Sequence, residues 1–211
     1  MRPDLDIIQS WIDPGSRVLD LGCGDGTLLK YLKTSKNAEG IGLEINEMDI
    51  QSCIEKGVCV VEQNLDKGLS NFQSNSFDTV LLTQTLQALH KPDLLVDEML
   101  RIGSKGIVTF PNFGNWKSRA YLATKGKMPV SKFMPHQWYN TPNIHFCTVK
   151  DFDALCTTKN IKVLTRTVVN SKHQGNWAMK LSPNFLVRPR SITSPETKKK
   201  AYATYRARKW K

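Results

Sequence analysis

Apolar and polar positions alternate in short blocks along the first half of the chain. Residues 17–21 form a brief apolar run that ends in glycines, and residues 40–45 and 58–61 repeat the form. Between them, residues 27–32 and 47–56 carry apolar side chains at helical spacing, the second stretch stopped by Gly57. Residues 77–82 are another apolar run, opened by the turn residues Ser74-Asn75-Ser76; residues 93–102 are amphipathic and 106–110 strand-like. Thr148-Val149-Lys150-Asp151 has the form of a capping box and predicts a helix up to Cys156. Residues 161–169 are rich in β-branched side chains, and residues 177–187 supply a last strand. Strands that alternate with helices must bury both faces of their sheet. The pattern predicts an α/β fold, a mostly parallel seven-stranded sheet with helices on both faces.

One segment departs from the pattern. Residues 111–146 are poorly periodic but hold Phe113, Trp116, Tyr121, Phe133, Trp138, Tyr139 and Phe146. They also hold Lys117, Arg119, Lys125, Lys127 and Lys132, and no acidic residue occurs between Glu98 and Asp151. A long connection with that many aromatics is a lid or a docking surface rather than a disordered linker.

With 211 residues, 40% of them hydrophobic, the chain can bury a core without disulfides. No apolar run approaches the roughly 18 residues of a spanning helix, and Met1-Arg2-Pro3-Asp4-Leu5-Asp6 lacks a signal-peptide pattern. A cytoplasmic protein away from membranes is expected. The five cysteines are odd in number and no two are spaced Cys-x-x-Cys, which argues against a disulfide framework and against a metal site. The net charge of +11 is uneven, because residues 186–211 carry nine basic groups against Glu196. Residues 1–187 therefore form a nearly neutral domain and residues 188–211 a basic, flexible tail, so the charge alone does not make the whole protein a nucleic-acid binder.

The chemistry concentrates in Asp20-Leu21-Gly22-Cys23-Gly24-Asp25-Gly26, between a predicted strand and a predicted helix. The spacing is acid-x-Gly-x-Gly-x-Gly, not the dinucleotide G-x-G-x-x-G, since Thr27 stands three residues past Gly24. A diphosphate avoids carboxylates, whereas the sulfonium and ammonium of S-adenosylmethionine (SAM) are drawn to Asp20 and Asp25. Glu44, 22 residues after Gly22 at the next strand end, can accept hydrogen bonds from ribose hydroxyls. Asn64 and Leu65 follow the third strand, where a side chain and a backbone N–H can meet adenine. Ile45 and Gln84 complete the candidate set beside Gly22, Cys23, Gly24 and Gly26. Each feature taken singly is a turn or a cap; their spacing across successive strand ends points to an adenosyl ligand, SAM or S-adenosylhomocysteine.

These residues resemble the nucleotide half of class I SAM-dependent methyltransferases, with a Rossmann-like fold. Within that superfamily the chain resembles the MetW family of methionine biosynthesis. The matching stretches are residues 17–45 and 77–87, together with Val108-Thr109-Phe110-Pro111-Asn112-Phe113-Gly114-Asn115-Trp116 and Thr141-Pro142-Asn143-Ile144-His145-Phe146-Cys147-Thr148. The resemblance implies partnership with a homoserine O-acyltransferase of the MetX type, which the family is thought to activate. Asn64 stands where the family usually has Asp, and the stretch from Arg188 does not look like the family's usual ending.

No Asp-Pro-Pro-Tyr or Asn-Pro-Pro-Tyr follows the fourth strand; Leu82-Thr83-Gln84-Thr85 stands there. No residue is assigned as catalytic, although His136 and His145 have the chemistry of general bases. Three functions stay open: a SAM-binding accessory subunit of the acyltransferase, an active methyltransferase on a small acceptor, and an RNA-associated protein. The last would use the basic and aromatic tail, Lys198-Lys199-Lys200 with Tyr202, Tyr205, Arg206, Arg208 and Trp210.

Overall fold

The sheet is built on β1 (Arg17–Leu21), whose Val18, Leu19 and Leu21 are completely buried. The computed structural model describes residues 3–131, 135–169 and 200–206. β2 (Glu39–Glu44), β3 (Cys59–Glu62), β4 (Phe77–Thr83), β5 (Gly103–Pro111), β6 (Lys162–Val169) and β7 (Lys200–Arg206) complete a sheet of order β3-β2-β1-β4-β5-β7-β6. Every described pairing is parallel.

Side chains sort by the two-residue period of a strand. Leu19, Leu21, Leu43, Val80, Leu82, Val108 and Phe110 belong to one apolar cluster, and α4 (Pro92–Ile102) and α6 (Val149–Thr158) close it with Leu95, Met99, Phe152 and Cys156. Val18, Leu81 and Ile107 belong to the other, with Ile8 of α1 (Pro3–Ser10), Leu28, Leu29 and Leu32 of α2 (Thr27–Lys36), and Cys53 of α3 (Glu47–Glu55). Helices therefore cover both faces. The capping box at α6 is present, with Thr148 Oγ1 accepting from Asp151 N–H and Asp151 Oδ2 accepting from Thr148 N–H.

Strand order fixes where a ligand can sit. From β1 the chain moves outward through β2 and β3, then returns to place β4 on β1's other side. Such a reversal leaves a crevice outside the carboxyl ends of the two central strands. Register aligns those ends: Leu21 lies beside Leu43, Glu44 beside Glu62, and Thr83 beside Thr109.

The strand expected at residues 177–187 lies outside the described residues. Two differences from the sequence expectations stand out. Within the stretch expected to be a flexible tail, Lys200–Arg206 instead pair with both β5 and β6. There the β-favouring alternation Lys-Ala-Tyr-Ala-Thr-Tyr-Arg outweighs the lysine-rich composition around it. Inside the insertion, residues 116–125 form a helix, α5, between an Asn115 cap and Gly126 in the left-handed region. Its apolar periodicity is weak because Ser118 is its only buried residue. Among the described residues no helix is long and apolar enough to cross a membrane.

Candidate functional site

The glycine turn is made of close approaches. At Gly22 (φ 75°) an added Cβ would lie 2.6 Å from Thr85 Oγ1, and at Gly26 (φ 71°) 2.7 Å from Cys53 Sγ. A Cβ on Gly42 would run into Cys23 Sγ. These glycines let β1, β2, α3 and the loop after β4 converge. Gly24 (φ 54°) differs, because nothing lies within 4 Å of its Cβ position. Its Cα faces open space, while its N–H is held by Glu44 and its carbonyl by Cys53.

Glu44 locks this turn to the end of β2. Its Oε2 accepts from Gly24 N–H at 2.8 Å, and its Oε1 accepts from Ile45 N–H at 2.8 Å and Asn46 N–H at 3.1 Å. Gly22 and Cys23 N–H both donate to the Leu43 carbonyl, at 2.8 and 3.1 Å. Ile45 stands beside Glu44 with its side chain 58% exposed, an apolar surface at the mouth of the crevice. Below, Asp20 is buried at the end of β1.

The two acids of the motif have different fates. Asp25 is not an open negative charge. Lys56 Nζ donates to its Oδ2 at 2.5 Å and to its carbonyl at 2.7 Å, and Thr27 supplies N–H and O–H donors at 3.1 and 2.7 Å. The Lys56 ammonium, ahead of the Thr27 donors, holds the Asp25 carboxyl below its ordinary range. Asp25 thus opens α2 and is tied to Lys56 rather than open to a ligand. Cys23 and Cys53 face each other at 3.9 Å, and Cys53 Sγ also lies 3.2 Å from the Gly24 carbonyl. Burial, followed by the Asp20 carboxylate, pushes the Cys23 thiol far up, so it stays protonated and packs the turn.

Asn64 caps a short 3-10 turn at Leu65–Lys67, its Oδ1 accepting from Asp66 N–H at 2.9 Å. The Leu65 side chain is buried in the core, and its carbonyl accepts from Gly68 N–H at 3.0 Å. Gln84 closes β4 in the left-handed region (φ 60°), a conformation that costs a non-glycine residue about 1 kcal/mol or more. Its N–H is held by Thr109, at 3.0 Å to both the carbonyl and Oγ1, and its Nε2 reaches the same Oγ1 at 3.2 Å. Asp20, Gly22, Cys23, Gly24, Gly26, Glu44, Ile45, Asn64, Leu65 and Gln84 therefore share the carboxyl edge of β1 through β4.

Other groups at this edge are invisible in the motif. Asp66 Oδ1 accepts from His90 N–H at 2.9 Å and its Oδ2 lies 2.8 Å from His90 Nδ1; the His90 contact holds the Asp66 carboxyl below its ordinary range. The loop after β4 also anchors the insertion, since the Gln87 carbonyl accepts from Ile144 N–H at 2.8 Å and His145 N–H at 3.0 Å. His145 Nε2 lies 3.4 Å from the His90 carbonyl. His136 is exposed within the insertion. The pairing of Asp66 with His90 spans 24 residues and two loops, and no local signal in the sequence announces it.

The chain matches the family described as methionine biosynthesis protein MetW over residues 2–190. It is 34% identical over 172 residues to the bifunctional methionine biosynthesis protein MetXA/MetW of Rhodopirellula baltica, covering 77% of this chain and 28% of that one. Identity to the ubiquinone biosynthesis O-methyltransferase of Hahella chejuensis is 28% over 134 residues, with 59% and 56% covered. The chain thus spans less than two thirds of either curated relative. Among solved structures, a SAM-dependent methyltransferase from Thermotoga maritima, described as a possible histamine N-methyltransferase, superposes with TM-score 0.56 at 22% identity over 76% of this chain and 70% of that one. The YcgJ protein of Bacillus subtilis gives 0.57 at 14% identity over 77% and 69%. At such identities the two structures establish a shared fold.

Proposed function

We propose, since the chain belongs to the MetW family, that its carboxyl-edge site binds SAM or S-adenosylhomocysteine. We propose further that the protein serves as an accessory partner that activates a homoserine O-acyltransferase of the MetX type. The observation that carries the ligand assignment is the Glu44 carboxylate, fixed at the crevice mouth beside the open side of Gly24.

The residues fit an adenosyl ligand. A carboxylate has about four acceptor positions, and backbone N–H groups take three on Glu44. One remains for a ribose hydroxyl, and a second hydroxyl would displace or share one backbone contact. Asn64 and the Leu65 backbone stand where an adenine edge is met, and Ile45 offers an apolar face to the ring. Asp20 and Glu44 supply negative charge toward a sulfonium. When bound, SAM would supply an electrophilic methyl group, while these residues hold and orient it.

The partner assignment is supported by the Rhodopirellula relative, in which MetXA and MetW segments share one chain. SAM is made from methionine, so a SAM site on a subunit of this pathway gives feedback a direct physical route: ligand binding biases one state of the partner complex. The test is a pull-down of this protein from its native host with and without SAM, coupled to acyltransferase assays. Co-purification and a SAM-dependent change in acyltransferase rate are expected; capture of no acyltransferase in either condition contradicts the assignment.

A second reading, turnover of SAM on a small acceptor, is favoured by one feature. His90 is exposed at this edge with Nδ1 against Asp66, the arrangement of an oriented general base. Release of S-adenosylhomocysteine in cell extract, lost in His90→Ala, would establish that activity.

A further inference from the structure

Resting on the acyltransferase partnership above, we propose that the exposed face of the 111–146 insertion is the surface that docks this partner. The matching face on the acyltransferase is apolar at its centre and rimmed by carboxylates.

The insertion leaves large apolar groups in water. Trp138 is 74% exposed, Tyr139 70% and Trp116 56%, and Leu122, Met128 and Ile144 are exposed with them. Each such ring represents roughly 150–250 Å² of surface that gains free energy on burial. Aromatics and Met are what protein interfaces concentrate. Helix α5 has ten residues and buries only Ser118. Ten residues are too few for a helix to be secure by its own hydrogen bonds. Its ends are set by Asn115, which accepts from Lys117 and Ser118 N–H, and by Gly126. The body thus holds a shaped helix that exposes Trp116 and Leu122.

Charge selects the partner's chemistry. Lys117, Arg119, Lys125 and Lys127 lie on or beside α5, and no carboxylate occurs from residue 99 to 150. Lys117 Nζ sits 5.3 Å from the Trp116 ring centroid, so cation and aromatic present one surface. An acidic rim on the partner would be steered to this face. Leu122, Met128 and Ile144 favour protein over nucleic acid, because aliphatic side chains give bases nothing to stack on.

The insertion is fastened beside the ligand site. Ile144 and His145 N–H donate to the Gln87 carbonyl, and the Phe113 and Phe146 rings pack at 5.1 Å. A partner seated on this face would border the crevice that holds Glu44 and Asn64, which links docking to ligand occupancy.

The test uses the full chain and the purified acyltransferase of the same organism, with affinity measured by calorimetry. Three variants are compared: Trp116→Ala with Leu122→Ala, Trp138→Ala with Tyr139→Ala, and Lys117→Glu with Arg119→Glu. Each is expected to weaken the complex roughly tenfold or more while SAM affinity and melting temperature stay unchanged. The charge reversal should also abolish the salt dependence of association. Hydrogen exchange on the wild-type complex, which needs no variant, should show protection within residues 116–131 and 135–146. If wild type binds the acyltransferase and all three variants bind equally well, the surface assignment is overturned and the partnership stands. If wild type does not bind it, the partnership reading fails and this proposal falls with it. Variants that change only self-association, or only affinity for a single-stranded RNA oligonucleotide, would give the face to a second copy or to nucleic acid and overturn the proposal.

Discussion

The glycine turn and the 111–146 insertion share one edge of the sheet and are built by opposite means. In the turn, side chains are absent so that neighbouring side chains can close on the backbone, and the single carboxylate of Glu44 ties Gly24 to the end of β2. In the insertion, large side chains are displayed outward on a helix that buries one residue. Under the proposals above, the first region would specify a small ligand through position and the second would offer area and charge to something large. Substitutions should therefore act in opposite ways: on stability and ligand affinity in the turn, on association alone in the insertion.

The largest break is expected at Gly42. Gly42→Val would drive a branched side chain into Cys23 in a packed core, at a cost of roughly 1–3 kcal/mol or more in urea unfolding. An unchanged midpoint would show that the turn is looser than its contacts imply. Glu44→Ala should act twice. Loss of the charge-assisted contacts, each worth about 1.5–3 kcal/mol, removes most ligand affinity. Stability falls as well, because Gly24, Ile45 and Asn46 lose their acceptor.

Asp25 offers a smaller, pH-dependent contrast. Its carboxyl is held low in the fold by Lys56, so its stabilising contribution is present above the ordinary carboxylate range and is lost as pH falls through its folded value. The side chain is 53% exposed, which limits the pair to about 1 kcal/mol or less. Wild type should melt slightly above Asp25→Asn at pH 7, and the two curves should converge once pH falls below the lowered folded value of Asp25. A gap that persists in acid would assign the difference to something other than this charge. The smallest effect on stability belongs to the insertion: Trp138→Ala with Tyr139→Ala should shift unfolding by no more than about 0.5 kcal/mol, since both rings are mostly in water. A larger shift would place them in the fold rather than on a docking face.

The two regions also differ in how far their sequence could be read. The turn is local: strand, glycines and helix follow within residues 17–36, and the register of β1 with β2 carries Glu44 to the same edge. The Cys23–Cys53 contact, the Asp25–Lys56 pair and the Asp66–His90 pair join residues 30, 31 and 24 positions apart, and no periodicity records such meetings. α5 carries little apolar stripe because it buries only Ser118; Asn115 and Gly126 are its sequence signals. β7 is hard to see in the sequence because the lysine-rich composition around it masks the β-favouring pattern of Lys200–Arg206. That strand also changes how a nucleic-acid role must be tested. Removing residues 193–211 would take out a strand paired on both sides, so point substitutions outside it are the sound route.

The most direct measurement is calorimetric titration of wild type and Glu44→Ala with SAM and with S-adenosylhomocysteine. Saturable binding by wild type and an affinity at least roughly tenfold lower in the variant are expected. Equal affinities, or no binding by a folded wild-type protein, would contradict the assignment of this edge to an adenosyl ligand.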